Sequence, residues 1–314
     1  MIQVLLLKED KSLSGGEELL DQPGPKWVDV LNANEEEMKR LGERYGLHKL
    51  AIEDCLHLDQ RPKLEEYPNH QFLVLQGFTS QAGNVCALTL HEHHFFLGPD
   101  WIISVHELPF EGIDQVRRRV LEDPRSMQGR GVDFLLYLLA DALMDRNFPI
   151  LDSFNEELED LETAVFENPK QEHLQRIFEL KRALVTLRRV LSPQRDVLGL
   201  LARRGIPNVA ERTVLYFRDV YDHLIRLHEQ IDAGRDLLGN VMDGYLSMVA
   251  NKTNDITKQL TIFATIFLPL SFITGFFGQN FDVLGQRGFF WLMLGSVFGL
   301  PIALLFWFRS KQWI

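Results

Sequence analysis

The sequence contains few cysteines and a deficit of basic residues. Cys55 and Cys86 are the only thiols in 314 residues, which excludes a disulfide-bonded framework and is typical of a reducing compartment. There are 33 Lys and Arg against 44 Asp and Glu, for a formal net charge of −11. An acidic chain repels phosphate backbones, so we expect no nucleic-acid partner.

Charge is almost absent from the last part of the chain, where only four charged residues follow position 259. Two uncharged apolar runs lie there, with 18 residues at 260–277 and 20 residues at 289–308. A bilayer core requires roughly 20 apolar residues per helix. A pair of buried core helices is the alternative, but soluble helices rarely lose every charge over this length. We therefore predict a membrane domain at 260–314, in contact with lipid, with a short external loop at 278–288.

Basic residues flank the two apolar runs on what must be one side of the membrane. Lys252 and Lys258 precede the first run, and Arg309 and Lys311 follow the second. Cytoplasmic flanks carry the excess of Lys and Arg. The pattern thus predicts a multi-pass protein of the inner (cell) membrane whose amino-terminal domain and carboxyl terminus are both cytoplasmic.

The preceding residues are charged and divide into three segments. Short apolar or alternating runs mixed with helical periods predict an α/β domain at 1–130, in which Asn32 or Asn34 caps a helix. An apolar stripe at helical spacing, interrupted at Asn168-Pro169, predicts an antiparallel helical hairpin at 131–206. The acid-rich first half of this hairpin faces the base-rich second half. The cytoplasmic part of a long stalk helix follows at 207–259.

The stalk helix is expected to run into the membrane without a break. No proline occurs between Pro207 and Pro269, so 208–278 can form one helix of about 70 residues, on the order of 105 Å long. An apolar seam near the coiled-coil period predicts that copies of this helix pack on one another. The seam consists of Phe217, Val220, Leu224, Leu227, Ile231, Leu238, Val241, Tyr245, Met248 and Ile256.

The end of this helix carries a stripe of mainly small and polar residues. Steps of three and four place them on one face. The stripe consists of Asn254, Thr257, Thr261, Ala264, Leu268, Ser271, Gly275 and Gly278. Close helix packing explains many such stripes, but this one offers a row of oxygens and continues the seam, which favours a water-bearing pore.

In such a pore, Leu260 and Leu268 would form apolar constrictions that can gate by dewetting. Gly278, Gln279 and Asn280 would present neutral oxygens at the outer end. Such oxygens suit an ion that keeps its water shell, as Mg²⁺ does.

A histidine-rich run forms the densest metal-like cluster of the sequence. It comprises His91, Glu92, His93 and His94. In a strand His91 and His93 share a face, and imidazole suits zinc. With no third ligand nearby in sequence, we interpret the run as a surface strand.

The chain resembles the CorA family of divalent-cation transporters. The most specific match is YLSMVANKTNDITKQLTIFATIFLPLSFITGFFGQNF at 245–281, and further matches lie at 216–223, 133–145 and 52–67. The resemblance implies a CorA-like funnel: a homopentameric channel with a cytoplasmic domain and one long pore-lining helix per subunit. Where the family has Gly-Met-Asn at the outer mouth, this chain has Gly278, Gln279 and Asn280.

The resemblance also assigns roles to individual residues. It places Asn254 at a cytoplasmic ring, with Leu260 and Leu268 at the constrictions. It further implies that cytoplasmic Mg²⁺ is sensed between subunits by Glu53, Asp54, Asp141 and Asp219.

On this reading the protein is not an enzyme and needs no organic cofactor. Mg²⁺ is both the transported and the regulatory ion, and Co²⁺ or Ni²⁺ can accompany it. Two alternatives stay open. One is a Zn²⁺ transporter of the same architecture, which the departure at Gln279 allows. The other is a membrane-anchored sensor or scaffold that transports nothing.

Overall fold

The computed structural model describes residues 1–8, 12–57, 59–81, 84–279 and 287–313. The chain divides into two compact units. The first comprises Met1–Ala164 and Lys170–Met242, and the second comprises Val165–Pro169 and Asp243–Ile314. The first unit contains the strands, and the second contains both apolar segments.

A mixed sheet forms the framework of the first unit. In the described part of the chain it has seven strands in the order β2-β1-β3-β7-β6-β5-β4. β3 and β7 are parallel, whereas the other neighbouring strands are antiparallel. The strands are β1 (Ile2–Leu6), β2 (Leu13–Gly15), β3 (Lys26–Leu31), β4 (Lys63–Glu66), β5 (Gln71–Gln81), β6 (Asn84–Leu97) and β7 (Trp101–His106).

Helices cover both faces of this sheet. On one face, α1 (Glu35–Tyr45) and α2 (Lys49–Leu56) share a buried core with Phe72 and Val74 of β5. On the other face, Leu143 lies against Gly77, where an added Cβ would be 3.3 Å from its side chain. Because side chains alternate along a strand, Val74 and Gly77 mark opposite faces. The helices of that second face are α3 (Glu111–Glu122) and α4 (Val132–Asp145).

The start of α1 shows how the sequence fixes a helix end. Asn34 Oδ1 accepts a hydrogen bond from the Glu37 backbone at 2.8 Å, and Glu37 Oε2 accepts one from the Asn34 backbone at 3.1 Å. This reciprocal pair satisfies two backbone donors that the helix itself leaves unpaired. Asn34 is therefore the cap, and Asn32 is not.

The interpretation of the histidine run as a surface strand is wrong. His93 is 1% exposed and His94 is 2% exposed. The reason is that β6 lies between β5 and β7 with helices over both faces, so side chains on either face of its second half are buried. Alternation alone does not reveal this, because a central strand buries polar and apolar positions alike.

Three further helices complete the first unit and pass beyond it. They are α5 (Asn147–Glu167), α6 (Gln171–Leu201) and α7 (Glu211–Phe277). The predicted long helix is thus present and begins three residues later than expected. Bases of α6 pair with acids on both neighbours, since Arg176 contacts Glu157 of α5 and Arg188 Nη1 lies 2.9 Å from Asp232 Oδ1 of α7.

Much of the seam of α7 is already buried within a single chain. From Phe217 to Val241 its apolar residues are buried within the first unit. Gly234 faces Leu184 of α6 and Asn155 of α5, and Tyr221 lies against Gly199 of α6. The expectation that this seam packs between copies is therefore wrong over that stretch, because α5 and α6 of the same chain supply the partner surface.

The second unit contains the end of α7 and α8 (Arg287–Ser310). Both helices are long and apolar enough to cross a membrane, with mean hydropathies of 2.0 and 2.1 over their most apolar windows. Lys258 Nζ donates to the Gln312 carbonyl at 3.3 Å, and Phe308 is buried beside the stacked ring of Trp313. Within the second unit, α7 near Lys258 and the carboxyl-terminal end of α8 therefore meet at one end of a helical hairpin.

His70 generates a prediction about pH and stability. Its ring is buried among Tyr67, Phe96 and Trp101, and this burial lowers its pKa from 6.5 to about 4. In the unfolded chain His70 takes up a proton near pH 6.5, whereas in the folded chain it stays neutral until about pH 4. The free energy of unfolding therefore falls as the pH drops from 6.5 toward 4. When the pH is lowered from about 7 to about 5, we expect the Tm of His70→Phe to fall less than the Tm of the parent.

The Tm is measured by scanning fluorimetry of the detergent-solubilised full chain. The exposed His57 provides the matched control, and His57→Phe should keep the parent's pH dependence. If His70→Phe keeps it as well, burial does not hold the His70 ring neutral.

Candidate functional site

The stripe on the last part of α7 lies uncovered in the single chain. All eight of its residues are exposed. Leu268 within it and Leu260 beside it are 73% and 68% exposed. We call this exposed face the pore stripe, defined by Asn254, Thr257, Thr261, Ala264, Leu268, Ser271, Gly275 and Gly278.

The opposite face of the same helical stretch is partly covered. Its half-buried residues recur at three and four spacing and include Ile262, Thr265, Pro269 and Ile273. α8 shows a matching half-buried line, which includes Met293, Val297, Leu300, Leu304 and the buried Phe308. α8 is the other long helix of this unit, so we infer that the two half-buried lines pack against each other. The pore stripe lies outside this half-buried line, as do the exposed residues Phe263, Phe267, Phe272 and Phe276.

The hydroxyl of Thr261 on this stripe is oriented by its own helix. Thr261 Oγ1 donates to the Thr257 carbonyl at 2.8 Å. The hydroxyl proton is therefore used inside the helix, and the oxygen lone pairs point away from the helix backbone. Such an oxygen is an acceptor that suits the water shell of a cation.

The outer end of α7 closes with one further turn. The Gly278 amide donates to the Thr274 carbonyl at 3.0 Å, and the Gln279 amide donates to the Phe276 carbonyl at 3.3 Å. A Cβ on residue 278 would lie 3.1 Å from that Thr274 carbonyl oxygen, which explains why glycine suits this position. Asn280, the last of the predicted mouth residues, lies outside the described residues.

The four predicted sensor carboxylates fall into two groups. Glu53 and Asp54 lie on α2, where Asp54 Oδ2 accepts from Lys63 Nζ at 2.5 Å and Glu53 is exposed. Asp141 lies on α4, which covers the opposite face of the sheet. One chain therefore does not bring Glu53 and Asp54 to Asp141.

Asp141 and Asp219 do come together, around an imidazole. His223 Nδ1 lies 3.8 Å from Asp141 Oδ1, and His223 Nε2 lies 3.8 Å from Asp219 Oδ2. Asp145 joins them, with Oδ1 3.4 Å from His223 Nδ1. One ligand atom from each of Asp141, Asp145 and His223 lies within 4.8 Å of the other two. We call Asp141, Asp145, Asp219 and His223 the acidic cluster.

The electrostatics of the acidic cluster favour a cation. Asp141 Oδ1 is buried and has no hydrogen-bond partner in the described ranges. Burial, and next the neighbouring charge of Asp145, raise the pKa of Asp141 to about 6, although His223 opposes this shift. A divalent ion would relieve both causes, because it neutralises the paired carboxylates and supplies the missing partner.

Sequence reasoning missed Asp145 and His223. A signal was available, because Asp141 and Asp145 are four residues apart, as are Asp219 and His223. That spacing places each pair on one face of a helix. What the sequence could not show is that the two faces oppose each other.

The chain was compared with known proteins. Residues 23–310 match the profile of a family described as "CorA-like Mg2+ transporter protein". The chain belongs to the CorA family. It is 36% identical over 298 residues to the cobalt/magnesium transport protein CorA of Thermotoga maritima, covering 94% of this chain and 85% of the relative.

Two further proteins are similar to the chain. The zinc transport protein ZntB of Yersinia pseudotuberculosis is 25% identical over 264 residues, which covers 81% of this chain and 77% of the relative. The complete structure of the CorA magnesium transporter from Methanocaldococcus jannaschii superposes with a TM-score of 0.87 at 24% identity, covering 100% of this chain and 99% of that one.

Membership in the CorA family confirms the resemblance recognised in the sequence. It makes the protein a divalent-cation transporter of the membrane and not an enzyme. The predicted architecture of an α/β domain, a long helix and two apolar helices is confirmed as well.

The acidic cluster generates a prediction about Mg²⁺ binding. Asp219→Lys places a cation beside the cluster, so it should repel Mg²⁺. We expect the Mg²⁺ concentration that half-protects the full chain against chymotrypsin to rise by about tenfold or more. Chymotrypsin is used because it does not cleave at the new lysine.

Asp236→Lys is the matched control, since Asp236 is an exposed acid of the same helix. It should leave the protection unchanged. Unchanged protection in Asp219→Lys itself would remove Asp219 from the cluster.

Proposed function

We propose that five copies of this chain form a channel through which Mg²⁺ enters the cytoplasm. The observation that carries the proposal is the pore stripe, a row of mainly small and polar residues that is exposed on a helix apolar enough to span the membrane. Polar groups facing lipid lack partners. Gathering the stripes of several copies around an axis gives these groups water. The number five comes from the family resemblance.

The chemistry of the stripe supports passage of an ion with its water shell. Asn254, Thr257, Thr261 and Ser271 supply neutral oxygens and no formal charge. Mg²⁺ dehydrates reluctantly, so acceptors that hold its waters suit it better than a ring of carboxylates. Co²⁺ and Ni²⁺ are expected to follow the same route. Gln279 and Asn280 would offer the first such contacts at the outer mouth.

Two apolar rings would set the conductance. Leu260 and Leu268 project from the exposed side of α7, so in an assembly each leucine repeats around the axis. A narrow apolar ring empties of water and blocks ions unless it widens. Small movements of α7 would therefore open or close the path.

Cytoplasmic Mg²⁺ would control those movements. Asp141 and Asp219 of one copy would meet Glu53 and Asp54 of the next, because one chain does not bring the two groups together. A bound ion stabilises the closed, symmetric arrangement, and its loss leaves acids that repel one another. Asp219 and the pore stripe belong to the same helix, which gives the signal a direct route.

Orientation and driving force complete the proposal. The basic flanks place residues 1–259 and the carboxyl terminus in the cytoplasm, with 260–314 as the membrane domain and the loop at 278–288 outside. The membrane potential contributes about 2.3 kcal/mol per elementary charge per 100 mV. A divalent cation gains roughly twice that on entry, so uptake needs no ATP.

A Zn²⁺ transporter of the same architecture is the second candidate. Gln279 replaces the usual methionine at the mouth, and one relative is described as a zinc transport protein. Family membership argues against the third alternative, a membrane-anchored sensor or scaffold that transports nothing.

Ion flux into proteoliposomes separates these functions. We expect Mg²⁺ entry that Co²⁺ competes with, and faster entry in Leu268→Ala because the apolar ring is wider. Ile266→Ala, on the half-buried side of α7, is the matched control and should conduct like the parent. Zn²⁺ entry that excess Mg²⁺ does not inhibit would favour the zinc transporter. Absence of any flux would favour the sensor.

A further inference from the structure

A small cavity in the first unit collects buried groups that the transport account leaves unused. It has a volume of about 110 Å³ and lies between the end of α2 and the strands β6 and β7. Its walls include Cys55 of α2 together with Glu92 and His94 of β6. These residues belong to the histidine-rich run and to the helix that carries Asp54. The cavity can hold an ion or a few water molecules.

His94 supplies the unpartnered polar group of this cavity. The residue is 2% exposed, and neither ring nitrogen makes an aligned hydrogen bond within the described ranges, although Nε2 lies 3.4 Å from Glu92 Oε2. A buried imidazole without partners costs free energy. Since > 90% of buried polar groups in proteins are satisfied, this ring calls for an explanation.

Glu92 is held so that one oxygen faces that imidazole. Its Oε1 accepts from the Asp59 amide at 2.9 Å and from Gln76 Nε2 at 3.4 Å, which fixes the carboxylate. Its Oε2 is buried without a hydrogen-bond partner in the same described residues and lies 3.4 Å from His94 Nε2. Metal-binding carboxylates are oriented in this way by outer hydrogen bonds.

The spacing of these two atoms matches ligands of one tetrahedral ion. With Zn–N and Zn–O distances of about 2.0–2.1 Å, two tetrahedral ligands are about 3.3 Å apart. The measured 3.4 Å between Glu92 Oε2 and His94 Nε2 agrees with this value. Cys55 adds a buried thiol to the same wall.

We propose that this cavity binds a transition-metal ion of the Zn²⁺ class through Cys55 Sγ, Glu92 Oε2 and His94 Nε2, with water as the fourth ligand. Sulfur, imidazole and carboxylate together suit Zn²⁺ or Co²⁺, whereas Mg²⁺ prefers oxygen ligands alone. In the described residues only the acidic cluster has three ligand atoms within 4.8 Å of one another. Binding here therefore requires Cys55 Sγ to move toward the other two.

This site is separate from the acidic cluster. α2 and α4 cover opposite faces of the sheet, so the two groups do not share an ion. Cys55 follows Asp54 directly, and an ion bound to Cys55 would restrain the end of α2 where Asp54 lies. The site is thus a place where a transition metal could act on the protein without entering the pore.

Co²⁺ titration of the full chain in detergent tests the site. We expect a sulfur-to-cobalt charge-transfer band that saturates at one ion per chain in the presence of excess Mg²⁺. Cys55→Ser should abolish the band, and His94→Gln and Glu92→Gln should weaken Co²⁺ binding about tenfold or more. Cys86→Ser is the matched control, because it removes the other thiol and should leave the band intact.

Zinc-edge X-ray absorption of the unsubstituted protein keeps the test independent of variant folding. It should show one sulfur at about 2.3 Å among nitrogen and oxygen ligands. Absence of a sulfur ligand would overturn the proposal, and so would a band that survives in Cys55→Ser. A band lost in Cys86→Ser would also overturn it. None of these outcomes bears on Mg²⁺ flux, so the transport proposal stands or falls separately.

Discussion

A polar group on a membrane-spanning helix must find a partner other than lipid, and this constraint governs the protein. The last part of α7 has a half-buried line that matches one on α8, and it leaves both the pore stripe and several phenylalanines exposed. Within the apolar segment at 260–277, the stripe carries Thr261 near the start and Ser271 in the second half. The Thr261 hydroxyl donates to the Thr257 carbonyl of its own helix, but its exposed oxygen can accept further hydrogen bonds. We therefore propose that water and other copies of the chain supply the further partners of these groups.

The first unit differs, because residues of the same chain cover its apolar surfaces. Its sheet is covered on both faces, and the seam of α7 is buried against α5 and α6 of the same chain. Among its described residues, buried polar groups without hydrogen-bond partners remain, and they include Asp141 as well as His94. The acidic cluster brings three carboxylates around His223, and the Asp141 side chain is half-buried. We propose a divalent cation as the partner of this arrangement, just as water and neighbouring copies are the proposed partners of the pore stripe.

Much of this could be predicted from the sequence, because local patterns carry it. The missing charges predict the apolar helices, and the absence of proline predicts a long α7. An asparagine at 32 or 34 indicates a helix start. The predictions that failed are those that depend on which element packs against the residues concerned. The seam of α7 looks the same whether its partner is another copy or α6, and the polarity of His93 and His94 suggests a surface although β6 lies inside the sheet. Asp145 and His223 become a site only when α4 meets α7.

The account depends on water reaching the pore stripe, and cysteine accessibility measures this most directly. Thr261 and Ser271 on the stripe, and Ile262 and Ile273 on the half-buried face, are each replaced by cysteine in a chain whose Cys55 and Cys86 are alanine. A charged, membrane-impermeant thiol reagent is then applied to proteoliposomes during Mg²⁺ flux. The account predicts that Thr261→Cys and Ser271→Cys are modified and lose flux, while Ile262→Cys and Ile273→Cys remain unmodified. Modification confined to the Ile262 and Ile273 positions, or none at the stripe, would contradict it.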